Sequence, residues 1–353
     1  MSDPWLTIVG LGEDGPDGLS GASLAAIAGA QVIFGGPRHL SLVAAGNRGR
    51  PWPVPFDIAP VLAEAGRRVV VLASGDPFWF GAGAVLATRL PAGAWRALPA
   101  PGVVSLACAR LGWKVEDTRC LGLHATGFAP LRTVLARGVR ALATLRDGAA
   151  PAGLAAWLVA QGMGRTRMIV LERLGGPLER LREARAAGFD LTGIAAPVAV
   201  ALDCADLPRG AGMPAVPGLP EAAFAHDGQI TKSPVRALTM AALAPRADEL
   251  LWDIGGGSGS VSVEFCLSGG RAISIEPRPD RIANIRANIA GFGLTGRMQA
   301  IEGRAPEALD SLPPPDAVFV GGGGSMPLFD ALWQRIAPGT RLVANAVTLE
   351  TEA

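Results

Sequence analysis

Lysine is almost missing from this sequence. Lys114 and Lys232 are the only two, so nearly all of the positive charge is arginine. Arginine suits bidentate recognition of carboxylates, and a GC-rich genome gives the same bias with no ligand involved. A net charge of +1 leaves no basic excess to suggest a nucleic-acid partner. Cysteine is scarce as well. Cys108, Cys120, Cys204 and Cys266 show no C-x-x-C spacing, which indicates neither a zinc site nor a disulfide framework, so no metal is expected and reduced thiols in a cytoplasm are the default. No uninterrupted apolar run approaches the ~20 residues of a membrane span. The opening Met-Ser-Asp-Pro-Trp lacks the basic-then-apolar order of a signal peptide. The expectation is a cytoplasmic protein with no membrane partner.

At 353 residues the chain has room for two domains, each with a full core. Glycine (47) and proline (29) are abundant and suit many strand–loop–helix junctions. The chain is organised around Leu250-Leu-Trp-Asp-Ile-Gly-Gly-Gly-Ser-Gly-Ser260. An apolar run ending at Asp253 opens into Gly255, Gly257 and Gly259, the pattern of a buried strand turning sharply into a helix near Val261. Glycines at alternate positions let the backbone approach a ligand closely, and the helix N-terminus offers free N–H groups to an anion. A dinucleotide fingerprint counted from Gly255 requires glycine where Ser260 stands, and a phosphate loop requires a Gly-Lys-Ser/Thr that is absent. What fits is D-x-G-x-G-x-G, from Asp253 through Gly256 and Ser258 to Gly259. That pattern resembles the opening loop of S-adenosylmethionine (SAM)-dependent methyltransferases with a Rossmann-like sheet. Ala272-Ile-Ser-Ile-Glu276 is a second short strand ending in a carboxylate, roughly 20 residues on, where such folds hold ribose hydroxyls.

The first half alternates strands, small-residue loops and helices. Trp5–Val9, Gln31–Gly35, Arg67–Ala73, Val139–Leu145, Arg167–Glu172 and Pro197–Leu202 read as strands. Helices are expected after Ser20, over Leu106–Leu111, from Pro151 to about Val159, and over the charged stretch Leu178–Ala187. This is the pattern of α/β subdomains. In the loop Ser74-Gly-Asp-Pro-Phe78, Asp76 can accept hydrogen bonds from a ligand ammonium or from its own backbone. His39 and His124 are assigned no role as bases.

Leu207–Pro220 is rich in proline and glycine without periodicity, which is a linker composition. The expected organisation is a domain over 1–205, a linker over 206–225 and a second domain over 226–353. In the latter, Ser233 is the expected N-cap, with Pro234 at the first helical position of Val235–Leu243. Met298–Glu302 and Asp316–Val320 read as strands, the second ending in Gly321, Gly322, Gly323 and Gly324. Four glycines cost roughly 0.5–1 kcal/mol each against alanine in ordered structure. They suit either a flexible tip or the close approach of a large flat substrate, the second being the better account. After the strand Arg341–Val347 a class I methyltransferase sheet normally adds a helix and a hairpin, so either the natural C-terminus lies beyond Ala353 or the domain is short.

Several motifs of the first half fall in the order seen in tetrapyrrole (cobalamin-pathway) methyltransferases, a resemblance spanning residues 3–205. They are Gly10-x-Gly12, Ser74-Gly-Asp-Pro77, Pro101-Gly-x-x-Ser105, Leu123-His124 and Glu172-Arg-Leu-Gly175. Arg38-His39 after a glycine pair resembles the CbiE-type branch, which methylates a corrin ring at C5. That resemblance implies two α/β subdomains with SAM in the cleft between them, lined by Gly10, Gly12, Gly75, Asp76, Val104, Ser105 and Leu145. In the second half, the Thr-x-x-x-Val-Arg segment, with Thr231 and Arg236 matching, resembles CbiT-type methyltransferases of the class I Rossmann-like fold. Arg304 stands where that family tends to carry an acid beside the adenine, so only backbone contacts near Ala305 carry over.

A CbiE-like half joined to a CbiT-like half resembles the CobL-type family of precorrin-6Y C5,15-methyltransferases (decarboxylating). The resemblance implies SAM-dependent methylation at C5 in the first domain. In the second it implies methylation at C15 with loss of carbon dioxide from the ring-C (C12) acetate, giving precorrin-8, and one SAM per domain leaving as S-adenosylhomocysteine. A homo-oligomer is expected by the same resemblance. Arg38, Arg236 and the Gly321–Gly324 run are the expected substrate contacts. His226, Asp227 and Lys232 are the candidates for catalysis, the first two for managing a proton near the acetate. The alternative is an RNA or protein methyltransferase whose first half is a non-catalytic SAM- or tetrapyrrole-binding module.

Overall fold

The apolar runs of the sequence become three sheets in the computed structural model, which describes residues 4–346. Contacts divide the chain into two compact units. One holds the chain up to Thr126 together with Arg137–Arg209; the other holds Gly127–Ala136 and the chain from Gly210 on.

The first unit opens with β1 (Leu6–Leu11), β2 (Val32–Gly35), β3 (Gly49–Pro51), β4 (Val69–Ser74) and β5 (Trp95–Leu98), all parallel, in the order β3-β2-β4-β1-β5. The central β1 and β4 are buried along nearly their whole length, as expected of parallel strands covered on both faces. Ser20 caps the helix Gly21–Gly29, its Oγ accepting the Ser23 N–H at 3.1 Å. A second sheet follows: β6 (Thr118–Gly122), β7 (Arg140–Leu145), β8 (Arg167–Glu172), β9 (Arg180–Arg185) and β10 (Val198–Asp203), in the order β6-β7-β10-β8-β9. Only β6 and β7 pair in parallel.

The expected charged helix over Leu178–Ala187 is instead the edge strand β9. The segment has no apolar stripe to bury as a helix. As a strand it lays alternate charges against β8: Arg180 and Arg182 reach the buried Glu172, and Glu183 meets Arg167. Charged residues on an edge also discourage pairing with other chains.

In the second unit β11 (Leu250–Ile254), β12 (Arg271–Glu276), β13 (Met298–Glu302), β14 (Ala317–Val320) and β15 (Arg341–Ala344) form one parallel sheet, β13-β12-β11-β14-β15. The order reverses between β11 and β14, the switch point where α/β sheets bind ligands. The last strand ends at Ala344; Val347, its expected end, lies outside the described residues, as does anything bearing on the missing hairpin.

The expected linker is largely part of this unit. Leu219 and Phe224 enter its core, and Glu264 accepts the N–H groups of Gly218 and Leu219, each at 2.8 Å. Proline and glycine content hid two apolar anchors. Gly127–Ala136, read as part of the first domain, likewise packs here: Arg132 lies 4.4 Å over the Phe292 ring. Ser233 is not an N-cap. Lys232 holds that position, Ser233 begins the helix Ser233–Leu243, and Glu221 accepts the Ser233 N–H at 2.8 Å. Among the described residues no helix is long and apolar enough to cross a membrane, and no cluster of His, Cys, Asp and Glu is arranged to hold a metal.

Candidate active sites

In the second unit the carboxyl ends of β11, β12, β13 and β14 open on a cavity of about 870 Å³. Gly255, Gly256, Gly257 and Ser258 line it, with Glu276, Ala305, Gly321, Gly322, Gly323, Thr231 and Lys232. Gly255, Gly257 and Gly259 all have left-handed backbones, with φ of +69°, +59° and +71°, a region that side chains oppose. Gly255 has a second reason to be glycine. A Cβ there would lie 2.6 Å from the carbonyl oxygen of Gly322, so the two glycine loops meet backbone to backbone. Part of the four-glycine run is thereby explained by packing. Gly259 and Gly324 stay out of the lining, and Gly259 faces Met298 and Ile285.

Glu276 ends β12 almost fully buried, with Oε2 accepting the Gly257 N–H at 2.9 Å and Oε1 accepting the Arg278 N–H at 3.1 Å. The acid thus fixes the loop of the neighbouring strand and forms cavity wall at once. Asp253, expected at the cofactor, lies beneath the loop and outside the lining. Its Oδ2 accepts from Ser262 Oγ at 2.6 Å and Ser274 Oγ at 3.3 Å, while Oδ1 is buried without a partner among the described residues. Burial pushes its carboxyl up to about 6, against the opposing pull of the two hydroxyls. Asn288 was not foreseen. Its amide clamps Ala225 through both backbone groups and donates to the Ser258 carbonyl at 2.8 Å, tying the entering chain to the glycine loop.

Three expected site residues are placed elsewhere. Arg236, expected on the substrate, is fully enclosed. It pairs with Glu264 at 2.7 Å, donates to the carbonyls of Thr231 and Leu219, and lies over the Phe224 ring. Its effect on the cavity passes through Thr231. His226 Nδ1 accepts the Gly228 N–H at 3.0 Å, and Asp227 accepts the Gln229 N–H and the Arg281 Nε–H, both at 3.0 Å. Neither lines the cavity, whose wall begins at Gly228. The Gln229 amide and then Arg281 hold the Asp227 carboxyl below its ordinary range, which makes it a fixed anion and a poor carrier of protons. Sequence reasoning passed over three cations that line the cavity: Arg278, Arg281 and Arg304. Arg278 and Arg281 are ion-paired. The Arg304 side chain makes no ion pair or hydrogen bond among the described residues.

The first unit has a cavity of about 300 Å³ where the loops after β1, β4 and β5 meet the inner face of the second sheet. Gly12, Gly75, Asp76, Leu145 and Arg38 line it, as do Phe80 and His124. Gly10 lies behind the wall, because a Cβ there would stand 1.9 Å from the Gly75 carbonyl oxygen. The helix Val103–Leu111 turns Val103 and Leu106 to the cavity, Val104 to the core and Ser105 to solvent. The expected pair Val104 and Ser105 was therefore misplaced by the helical period. Asp76 Oδ1 accepts the Phe78 N–H at 2.9 Å, so its carboxylate caps the turn while facing the cavity.

Arg38 is ion-paired with Glu13, and its Nη2 donates to Ser74 Oγ at 3.0 Å. His39 Nε2 lies 2.9 Å from the same hydroxyl. Burial, helped by the Arg38 charge, pushes the His39 imidazole down to about 4, so it is neutral near pH 7. Burial lowers Arg38 too.

Residues 5–190 match the family described as Tetrapyrrole (Corrin/Porphyrin) Methylases, and residues 222–353 match the family described as Precorrin methyltransferase domain. The chain is 46% identical over 358 residues to a precorrin-6Y C(5,15)-methyltransferase (decarboxylating) of Sinorhizobium sp, covering 99% of this chain and 86% of that one. A protein of the same name from Mycobacterium tuberculosis (strain CDC 1551 / Oshkosh) is 38% identical over 356 residues, covering 99% and 88%. Among solved structures, the C-terminal domain of precorrin-6Y C5,15-methyltransferase from Rhodobacter capsulatus is 72% identical, covering 40% of this chain and 76% of that chain, with a TM-score of 0.39.

Proposed function

The chain belongs to the family of precorrin-6Y C5,15-methyltransferases (decarboxylating), and on that premise we propose that its two units divide the reaction. The protein is a SAM-dependent methyltransferase of cobalamin biosynthesis acting on a precorrin. The first unit methylates C5. The second methylates C15 and releases carbon dioxide from the ring-C acetate, yielding precorrin-8. The observation that carries the division is the presence, in each unit, of a glycine-walled cavity at the carboxyl ends of parallel strands. The relatives support this reading and lend nothing to an RNA or protein methyltransferase.

Both cavities fit SAM by their donors and their bare backbone walls. In the second unit Thr231, Gly255, Gly256, Gly257, Ser258, Glu276 and Ala305 would hold it; in the first, Gly12, Gly75, Asp76 and Leu145. SAM supplies an electrophilic methyl group when bound and leaves as S-adenosylhomocysteine, one per unit in this reading. The work left to the protein is to hold an electron-rich ring carbon in line with the S–CH₃ bond. Precorrins carry many carboxylates, and Arg304, Lys232 and Arg38 face the cavities with guanidinium or ammonium donors suited to them. A homo-oligomer in the cytoplasm remains part of the proposal by family resemblance.

The test is the product of the full chain with precorrin-6Y and methyl-labelled SAM, read by mass spectrometry and carbon NMR. Two methyl groups gained, at C5 and C15, with one carbon dioxide lost is the expected result. Substitution of Asp76 should remove only the C5 methyl, and substitution of Gly257 only the C15 methyl and the decarboxylation. If either substitution removes both methyls equally, the division of labour is wrong.

A further inference from the structure

Phe80 carries an aromatic side chain on a left-handed backbone, with φ of +52°. Bulky L-residues avoid that region, and when they occupy it they gather at ligand sites. The side chain is also uncovered: Phe80 is 62% exposed, although an aromatic ring gains most from burial. The ring is nevertheless held in place. It stands edge-to-face with Trp79, centroids 5.0 Å apart at 82°, and with His124, 6.2 Å apart at 78°. Beneath it Gly122 leaves room, since a Cβ there would come within 2.9 Å of the ring carbons. Trp79, Phe80 and His124 line the same cavity as Asp76 and Leu145. A strained backbone, an exposed ring and a glycine that makes room for it are three separate features of one residue. Folding alone gives no reason for the first two.

We propose that Phe80, braced edge-on by Trp79 and His124, is the stacking platform for the face of the tetrapyrrole methylated in the first unit. This rests on the assignment of C5 methylation to that unit. A flat conjugated macrocycle supplies a π-face broad enough to cover the ring, and stacking is the contact that holds a plane at fixed height over a methyl donor. The outward exposure of the ring suits a ligand larger than a cavity of about 300 Å³. Arg38 on the same lining offers a cation to carboxylates around the edge of the macrocycle.

The variants Phe80→Gly and Phe80→Tyr in the full chain test this, with SAM and precorrin-6Y as substrates and the methyls at C5 and C15 counted separately. In Phe80→Gly the tetrapyrrole KM for C5 methylation should rise about tenfold, the loss expected for one aromatic contact. The SAM KM and the C15 reaction of the same chain should stay unchanged. Glycine accepts the left-handed backbone without strain, so Tm should hold or rise while binding weakens. Phe80→Tyr should retain the wild-type KM. An unchanged C5 KM in Phe80→Gly overturns the platform, as does a rise in the SAM KM instead, which would mean that the ring stacks on adenine. A fall in Tm with the activity loss overturns it too, since the ring would then be serving the fold. A wild-type chain that adds no methyl at C5 overturns the division of labour and the platform with it; a wild type active at C5 isolates the failure to Phe80.

Discussion

Arg236 and Glu264 form an ion pair sealed from solvent, with 0% and 2% of their side chains exposed and 2.7 Å between Nε and Oε1. Every remaining polar atom is used in building the second site. Glu264 also accepts two N–H groups from the entering chain at Gly218 and Leu219, and Arg236 donates to the carbonyl of the cavity residue Thr231. Removing one partner of such a pair leaves a buried charge and costs about 3–5 kcal/mol. Glu264→Gln and Arg236→Met should each lower the unfolding temperature of the second unit by calorimetry, and their loss of C15 methylation should follow the loss of fold. A variant with wild-type Tm and a raised tetrapyrrole KM would return Arg236 to the substrate.

Gly255→Ala sets a Cβ against the Gly322 carbonyl at 2.6 Å on a backbone with φ of +69°. Displacing either loop by about 1 Å is enough to cost on the order of 100-fold in rate. The expected product is a precorrin methylated at C5 only, its ring-C acetate intact, detected by mass spectrometry. Normal C15 methylation would show that the two loops can part without consequence.

Asp253 makes stability depend on pH. Its folded-state value of about 6 lies above the ordinary 3.8. Between those values the folded chain therefore holds a proton that the unfolded chain has released. Stability from this source is fully present below pH 3.8 and is lost as pH rises through 6. Asp253→Asn removes the dependence. From pH 4 to 7 the melting temperature of Asp253→Asn should gain on the wild type, by an amount equivalent to at most about 3 kcal/mol. A constant difference across that range would mean that the carboxylate is charged in the folded state.

Arg304 stands unpaired on the lining of the larger cavity. Arg304→Gln should raise the tetrapyrrole KM for C15 methylation about tenfold, the weight of one charged hydrogen bond, with the SAM KM unchanged. If the SAM KM rises instead, Arg304 serves the adenine.

The second site was legible because its chemistry is local. Asp253 to Gly259 and Glu276 lie in two short runs, and alternate glycines declare a left-handed loop before any contact is known. Strand positions were equally plain where apolar runs are continuous, as in β4, β8 and β11. The sequence also determined the order of motifs and hence the family. Tertiary structure decided the rest, since burial and partnership arise between residues far apart in the chain. Glu264 lies 28 residues from Arg236 and took it from the substrate. Glu172 turned a charged helical pattern into the strand β9 through Arg180 and Arg182. Leu219 and Phe224 drew a proline-rich stretch into the core. In each case the side chain's identity was known from the start, and its role depended on what the fold brought against it.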